Sequence, residues 1–321
     1  MKYSLITDSE QFLCNPGDVL IGKGIQYLLD SYERQNNNIP TFSYCKIFDN
    51  NSVSWELCKY SDVVVLCGTP QFTQDSIPEW FSSAFYSKIR ELKTLGVKVI
   101  NMMVGGCYQT QNYKSDAISE LLNQKNFILS NFGLWDGIIS RDFITNEVII
   151  QSGLKSFHMA DSVSWARRFY GVEKQNPAYD VFTITAIGDI DRQLEIFKRI
   201  EATTSLPFKY LVHHYDDYVK LKDRVENLVL ISTAKSLVQF YSMAKCVYSL
   251  RVHGSVIASS FGCDLLHVAV DSRSNILEYL GVKVISLDDF LDGSNNYPSY
   301  VNVDAILKGD EKRFIEWYEK I

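Results

Sequence analysis

"YSLRVHGSVIASSFGCDLLHVAV", residues 248–270, reads as a strand, a turn, a short helix of small residues and a second strand. Tyr, Val and Leu suit a buried strand in "CVYSL"; "GSVIASSF" is helical and stops at Gly262; "DLLHVAV" returns to strand composition. Strands that are apolar throughout, with a helix between them, predict a parallel α/β sheet covered on both faces. Against that background Arg251 and His253 stand out, placed one residue apart where the strand gives way to the helix.

The same rhythm extends in both directions. Upstream, "DVFTITAI", "FKYLVHH" and "NLVLIS" read as strands, alternating with helices over "DRQLEIFKRIEATT", "DDYVKLKDRVE" and "AKSLVQFYSMAK". Downstream, "VKVISL" is a strand and "DEKRFIEWYEKI" a helix with an aromatic face. The N-terminal half runs through its own series: strand "KYSLIT", turn "NPGD", helix "VLIGKGIQYLLDSYERQ", strand "DVVVLCG", helix "IPEWFSSAFYSKIRELKTLG" and strand "VKVINMMVGG". A helical stretch near "DAISELLNQKNFILSNF" and then "DGIISRD" come next. The pattern weakens around residues 170–179. A chain of 321 residues exceeds what one hydrophobic core usually serves, and two domains of roughly 150 residues are expected. The reading is two Rossmann-like domains facing across a cleft, residues 1–172 and 179–300, then a C-terminal helix over 301–321.

Composition narrows the function. Hydrophobic residues make up 46% and Gly plus Pro only 17 and 7, as in a compact globular chain. A net charge of −6 argues against a general binder of nucleic acid or anionic membranes, without excluding a local basic pocket. The seven cysteines are scattered, several inside apolar runs, and none has zinc spacing, so reduced buried thiols are expected. No signal-peptide stretch opens the chain and no apolar run approaches the ~20 residues of a membrane span. A cytoplasmic protein is the expectation. A lipid-linked acceptor would bring it to the inner membrane face, although no basic amphipathic helix argues for that.

In open parallel sheets ligands bind beyond the carboxyl ends of the strands. That rule selects "NPGD", "CGTPQF", "VGGCYQ", "SRD", "GDIDR", "HHYDD" and "RVHGS". At "RVHGS", Gly254 and Ser255 open a helix whose free amides favour an anion, and Arg251 can grip a carboxylate or phosphate through two parallel hydrogen bonds. His253 would face the same pocket and move a proton near neutral pH. The competing reading has Arg251 bracing a carbonyl and His253 capping the helix. In "NPGD", Asp18 caps the following helix, or faces the cleft with Asn15 and takes a proton from an acceptor hydroxyl. "GKG" (residues 22–24) lies inside a helix and is no dinucleotide fingerprint. In "LVHHYDDY", His213 and His214 point opposite ways on a strand end and Asp216 caps the next helix, so no metal site is expected; His214 is a candidate sugar contact. His158 and His267 read as ordinary interior histidines. Aromatic residues are 13% of the chain; Phe72, Trp80 and Tyr108 near strand ends are candidate acceptor contacts, beside the commoner role of filling cores.

"FYSMAKCVYSLRVHGSVIASSFGCDLLHVAVDSRS" resembles the late signature of the polysaccharide pyruvyl transferase family, with its Arg-x-His, small-residue helix, Gly, apolar strand and Asp. "NPGDVLIGKGIQYLL" resembles that family's opening turn and helix, "SDVVVLCGTPQF" its strand and glycine loop, and "IISRDFITNEVI" its Arg-Asp segment. The resemblance implies a glycosyltransferase-B-like fold. It also implies transfer of an enolpyruvyl unit from phosphoenolpyruvate to two hydroxyls of a sugar in a surface polysaccharide precursor. The donor would sit on the C-terminal domain, held by Arg251, Gly254 and Ser255 with His253 as general acid. The acceptor would meet the N-terminal domain at Asn15, Gly68, Thr69, Phe72 and Tyr108, with Asp18 as base and His214 reaching it from the C-terminal domain. No metal or cofactor is implied; phosphoenolpyruvate is the donor substrate. Two departures stand out: Gly68-Thr69 replaces a glycine pair, and Ala186 occupies the region where the family tends to place a second arginine. Arg141, Arg192 and Lys235 are candidates to replace it. Two rival readings remain: a glycosyltransferase using a nucleotide sugar, and a non-catalytic sugar or anion binder. Oligomeric state and the acceptor sugar are not legible.

Overall fold

The computed structural model describes residues 1–7, 15–46, 53–108, 116–186, 189–202, 204–293 and 297–321. Two parallel sheets with flanking helices are formed, one from each half. In the first, strands β1 (Lys2–Thr7), β2 (Thr41–Lys46), β3 (Val63–Cys67), β4 (Pro70–Thr73), β5 (Lys98–Cys107), β6 (Gly137–Ser140) and β7 (Phe157–His158) take the order β2-β1-β3-β5-β6-β7, with β4 paired to β5. In the second, β8 (Tyr179–Thr183), β9 (Phe208–Val212), β10 (Leu228–Leu230), β11 (Ala244–Ser249), β12 (Asp264–Ala269), β13 (Lys283–Ser286) and β14 (Ser299–Tyr300) take the order β10-β9-β8-β11-β12-β13. Among the described strands only the short β14 runs antiparallel, against β12. Both orders reverse direction beside their first strand, the place where α/β sheets open a crevice.

The central strands are apolar on both faces because helices cover both. β3 "VVVLC" is wholly buried, and so is β5 beyond its first residue. β5 carries an irregularity: Met103 has φ +62 and the register to β6 shifts between Met102 and Val104. Such a bulge bends a strand and re-aims the residues beyond it. Here it turns the last residues of β5 toward β4 and sets Val104 to accept from the Arg141 amide at 3.2 Å.

Several expectations need correction. Residues 77–96 are not one helix: a turn at Glu79–Phe81 is followed by the helix Ser83–Thr94, whose true N-cap is Ser82. The stretch 117–132 is likewise broken, into Ala117–Leu121 and Lys125–Phe132. The edge strand β2 and the helix Phe143–Gln151 had no sequence reading. β2 lacks a clean period of two, and "FITNEVIIQ" is apolar on nearly all sides, so neither gives a periodic signal. The final helix, Asp304–Tyr318, begins earlier than "DEKRF" and crosses back to the first sheet. Tyr318 Oη lies 2.9 Å from Tyr3 Oη, and Asp310 accepts the Ala160 amide at 2.8 Å.

The two halves meet through the helix Pro16–Gln35, the turn Ser162–Trp165 and the helix Val252–Ser260. A β-carbon on Gly24 would overlap the Ser162 carbonyl, so the glycine lets the first helix lie directly on that turn. Ser162 Oγ in turn donates to the Ile21 carbonyl at 2.9 Å. Among the described residues six cysteines are free thiols; Cys14 lies outside them. No described helix is long and apolar enough to cross a membrane.

Candidate active site

Arg251 lies two residues beyond β11 as the N-cap of the helix Val252–Ser260, and His253 lies in that helix's first turn. Both line a pocket of about 120 Å3 at the seam between the halves. From the first half come Asn15, Asp18, Pro70 and Arg141; from the second come Thr185, His213, Arg251, His253, Asp271 and Arg273.

The "NPGD" turn enters at the mouth of the first helix. Asn15, not Asp18, is its N-cap, accepting from the Gly17 amide at 3.1 Å, with Pro16 in the first helical position. Asp18 lies one turn in and accepts from Asn15 Nδ2 at 3.0 Å. A β-carbon on Gly17 would overlap the His253 imidazole, so the backbone of one half rests on the histidine of the other.

Arg141 follows β6, and its guanidinium is only 2% exposed. Gly105 makes room for it: a β-carbon there would stand 2.7 Å from Nη2. Nη1 lies 3.6 Å from Asp161 Oδ2, too long for a hydrogen bond, and neither Nη1 nor Nε has a partner among the described residues. Asp161 is fully buried, with Oδ2 also unpartnered. Burial raises the Asp161 carboxyl against the pull of Arg141. His253 Nε2 is 4.0 Å from the same oxygen. A buried guanidinium with idle donors is costly unless something fills its fork.

Arg251 is held by Asp217, whose other contacts are Thr185 Oγ1 at 3.0 Å and the Ala186 amide at 3.1 Å. Burial works to raise the Asp217 carboxyl, but the guanidinium, the Ala186 amide and the Thr185 hydroxyl keep it below its ordinary value. Arg273 makes a bidentate pair with Asp271 at 2.9 and 2.5 Å. Three guanidinium groups thus border one small space. Burial first, then Arg141, Arg273, His213 and Arg251, pushes His253 well below the usual histidine range, so its imidazole is neutral at pH 7 in the unliganded protein.

Other candidates fall elsewhere. Ser255 is buried, its hydroxyl 2.9 Å from His267 Nδ1 and its amide bonded to the Arg251 carbonyl, and it does not line the pocket. Gly254 serves close packing: a β-carbon would press on Tyr241 Oη at 2.5 Å. Lys235 is exposed on the helix Ala234–Ser242, away from the pocket, and Arg192 pairs with Glu195 on the outer face of its helix. Phe72 is fully buried in the first core and reaches no acceptor. Gly68 and Thr69 both take positive φ in a tight turn, and it is the next residue, Pro70, that lines the pocket. Trp80 packs on the same core as Phe72. Tyr108 binds through its backbone: its amide donates to Ser272 Oγ at 2.8 Å and its carbonyl accepts the Ser272 amide at 3.0 Å, a clasp between the halves. His214 is a half-buried residue before the helix Tyr215–Leu221, and it is His213 that faces the pocket. Asp216 makes no side-chain cap on that helix. No group of three or more His, Cys, Asp or Glu able to hold a metal occurs among the described residues. Sequence reasoning selects the "HHYDD" segment without singling out His213 or Asp217 in it, and it misses Arg273, Asp271 and Asp161 as members. The "DSRS" that closes the resemblance is the available signal for Arg273.

A model of the polysaccharide pyruvyl transferase family matches residues 15–272. The chain belongs to the polysaccharide pyruvyl transferase family. No curated protein sequence matches it significantly. Among solved structures the fold is similar to UDP-N-acetylglucosamine 2-epimerases, which share the glycosyltransferase-B-like arrangement. That from Neisseria meningitidis bound to UDP-GlcNAc has 12% identity, 100% coverage of both chains and a TM-score of 0.58. The S. aureus MnaA–UDP co-structure has 12% identity, 99% and 97% coverage of this and that chain, and 0.56. The Methanocaldococcus jannaschii epimerase in complex with UDP-GlcNAc and UDP has 11% identity, 94% and 95% coverage, and 0.55. At such identity the likeness concerns the fold alone. The family match covers both the Asn15–Asp18 turn and the Arg251–His253 segment, so this pyruvyl transferase family member carries the two sides of the seam within one matched span.

Proposed function

We propose that the protein transfers the enolpyruvyl unit of phosphoenolpyruvate to two hydroxyls of one sugar in a surface polysaccharide precursor, closing a cyclic pyruvate ketal and releasing phosphate. The observation that supports this is the convergence of Arg141, Arg251 and Arg273 with His253 on one small pocket. Phosphoenolpyruvate carries a carboxylate and a phosphate, both suited to the guanidinium fork, and Arg141 offers idle donors to receive one of them.

In this reading a proton reaches C3 of the donor from His253, making the methyl group and leaving C2 electrophilic. A sugar hydroxyl adds to C2 and passes its proton toward Asp18. Phosphate then leaves with the C–O bonding pair, and the second hydroxyl attacks the same carbon. One hydroxyl proton ends on the methyl group and the other on phosphate, so atoms and charge balance. His253, neutral in the empty pocket, acquires its proton as the donor's negative charge offsets the surrounding guanidinium groups.

Thermal-shift measurements distinguish the readings. Phosphoenolpyruvate is expected to raise the melting temperature where UDP and GDP do not, and a sugar panel is expected to release inorganic phosphate. A shift with nucleotide alone would make the protein a user of nucleotide sugars. Binding without phosphate release from any acceptor would make it a non-catalytic relative.

A further inference from the structure

The seam brings one buried carboxylate against the His253 ring. Asp161 is the N-cap of the turn Ser162–Trp165 and is fully buried. Its Oδ1 accepts the Val163 amide at 2.9 Å, while Oδ2 has no hydrogen-bond partner. Arg141 Nη1 stands 3.6 Å from Oδ2, and His253 Nε2 stands 4.0 Å from it. The other side of the imidazole is closed, since a β-carbon on Gly17 would lie 2.0 Å from Nδ1. Nε2 is therefore the ring nitrogen left to exchange a proton, and it faces Asp161 Oδ2. A buried carboxylate oxygen without a donor is costly, and so is a guanidinium with idle donors.

Charge keeps the three groups apart while no anion is bound. Around His253 stand Arg141 after β6, Arg273 after β12, Arg251 at its own N-cap and His213 after β9. Around Asp161 stand Arg141 and Asp142. The cations hold the imidazole neutral, and a neutral ring has little pull on a carboxylate drawn to Arg141. An anion in the Arg141 fork changes both sides of that balance. It draws the guanidinium to itself, and its charge raises the proton affinity of carboxylate and imidazole together. Protonation also removes the repulsion between the anion and Asp161. Two groups this close titrate as a pair, and a movement of about 1 Å brings Nε2 and Oδ2 to hydrogen-bond length. We propose that Asp161 and His253 form a single acid, holding one proton between Oδ2 and Nε2 when an anion occupies the Arg141 fork. Asp161 is its positioning residue, fixing the ring and keeping the proton until transfer. The proton comes from solvent, and no other bond is made or broken in its uptake. That it goes on to C3 of phosphoenolpyruvate rests on the pyruvyl-transfer reading; that the pair takes it up around an anion does not.

Calorimetry of the full chain near pH 7.5, in two buffers of different ionisation enthalpy, reads the proton directly. The injected anions are phosphoenolpyruvate and sulfate, which does not itself titrate there. Expected is uptake of a proton with both anions by the unaltered protein, and none by Asp161→Asn or His253→Gln. Asn keeps the side-chain volume and the Oδ1 cap on Val163, so a merely structural role for Asp161 predicts unchanged uptake. Asp161→Ser, which also leaves an oxygen to cap that turn, is the second variant should Asn not fold. Each single variant is expected to lower kcat by about 10²- to 10⁴-fold, with Asp161→Asn/His253→Gln no slower than the worse of the two, because the parts of one acid fail together. Uptake retained in the Asp161 variants overturns the pair. So does absence of binding or of uptake in the unaltered protein, or a double variant slowed by the product of the single effects. Absence of sugar-dependent phosphate release, with Asp161-dependent proton uptake intact, overturns the transfer reading and leaves the pair standing.

Discussion

In the proposed reaction His253 gives a proton although three guanidinium groups border its pocket, and the charge of the proposed donor would resolve that conflict. Its affinity for a proton is expected to rise when phosphoenolpyruvate binds, so binding near pH 7.5 should take one up. Calorimetric enthalpies measured in PIPES and in Tris would then differ, and His253→Gln would remove the difference. The same variant is expected to lower kcat by about 10²- to 10⁴-fold, the usual contribution of a positioned acid, while the donor-induced thermal shift persists. Near-normal turnover in His253→Gln would remove it from the chemistry. Arg251 and His253 are legible because two polar residues interrupt an apolar strand-to-helix transition. Arg273 and Asp217 are not, since each owes its place to a partner distant in sequence: Asp217 to Arg251, and the Arg273 turn to Tyr108. Phe72 shows the opposite failure. A strand end places it near the cleft, but its side chain points into the core.

Glycines set the distances between elements. Gly17 and Gly24 lie on one helix, and ordinary propensity makes alanine favourable at both by up to about 1 kcal/mol. The contacts reverse that expectation in two different ways. Gly24→Ala meets the rigid carbonyl of Ser162 and should lower the melting temperature. Gly17→Ala meets the His253 ring and should depress turnover far more than stability, because a side chain can yield where backbone cannot. Equal loss of stability in both, with specific activity of folded protein unchanged in Gly17→Ala, would refute the distinction. The strand-and-helix alternation is readable from apolar runs bounded by Gly and Asp. The bulge at Met103 is not, because nothing about a methionine in an apolar run announces a positive φ. That bulge nevertheless helps to seat the Arg141 segment.

At the scale of the molecule, all five histidines are shifted below their ordinary value: His158 to about 4, His267 to about 3, and His213, His214 and His253 downward, with burial the leading cause in each. The unfolded chain binds protons on these rings below about pH 6.5 while the folded chain does not, so stability is lost as pH falls through that range. Between pH 7.5 and 6.0 the loss is on the order of 1 kcal/mol for His267, and the buried His213 acts in the same direction. Asp142, raised to about 6 by burial, acts in the opposite sense and offsets part of this loss near pH 6. Chemical denaturation at the two pH values should show lower stability at 6.0; equal or greater stability there would contradict the burial of these rings.

The seam held by Tyr108 and Ser272 also bears on how such proteins can be recombined. Residues 15, 18, 70 and 141 line one side of the pocket and residues from the second half, among them 251, 253, 271 and 273, the other. Chimaeras that join the front half of one relative to the back half of another would therefore inherit mismatched walls of a single pocket, however well each piece folds. A productive exchange would have to transplant the facing surfaces as a matched set, cutting across the chain's own division into halves.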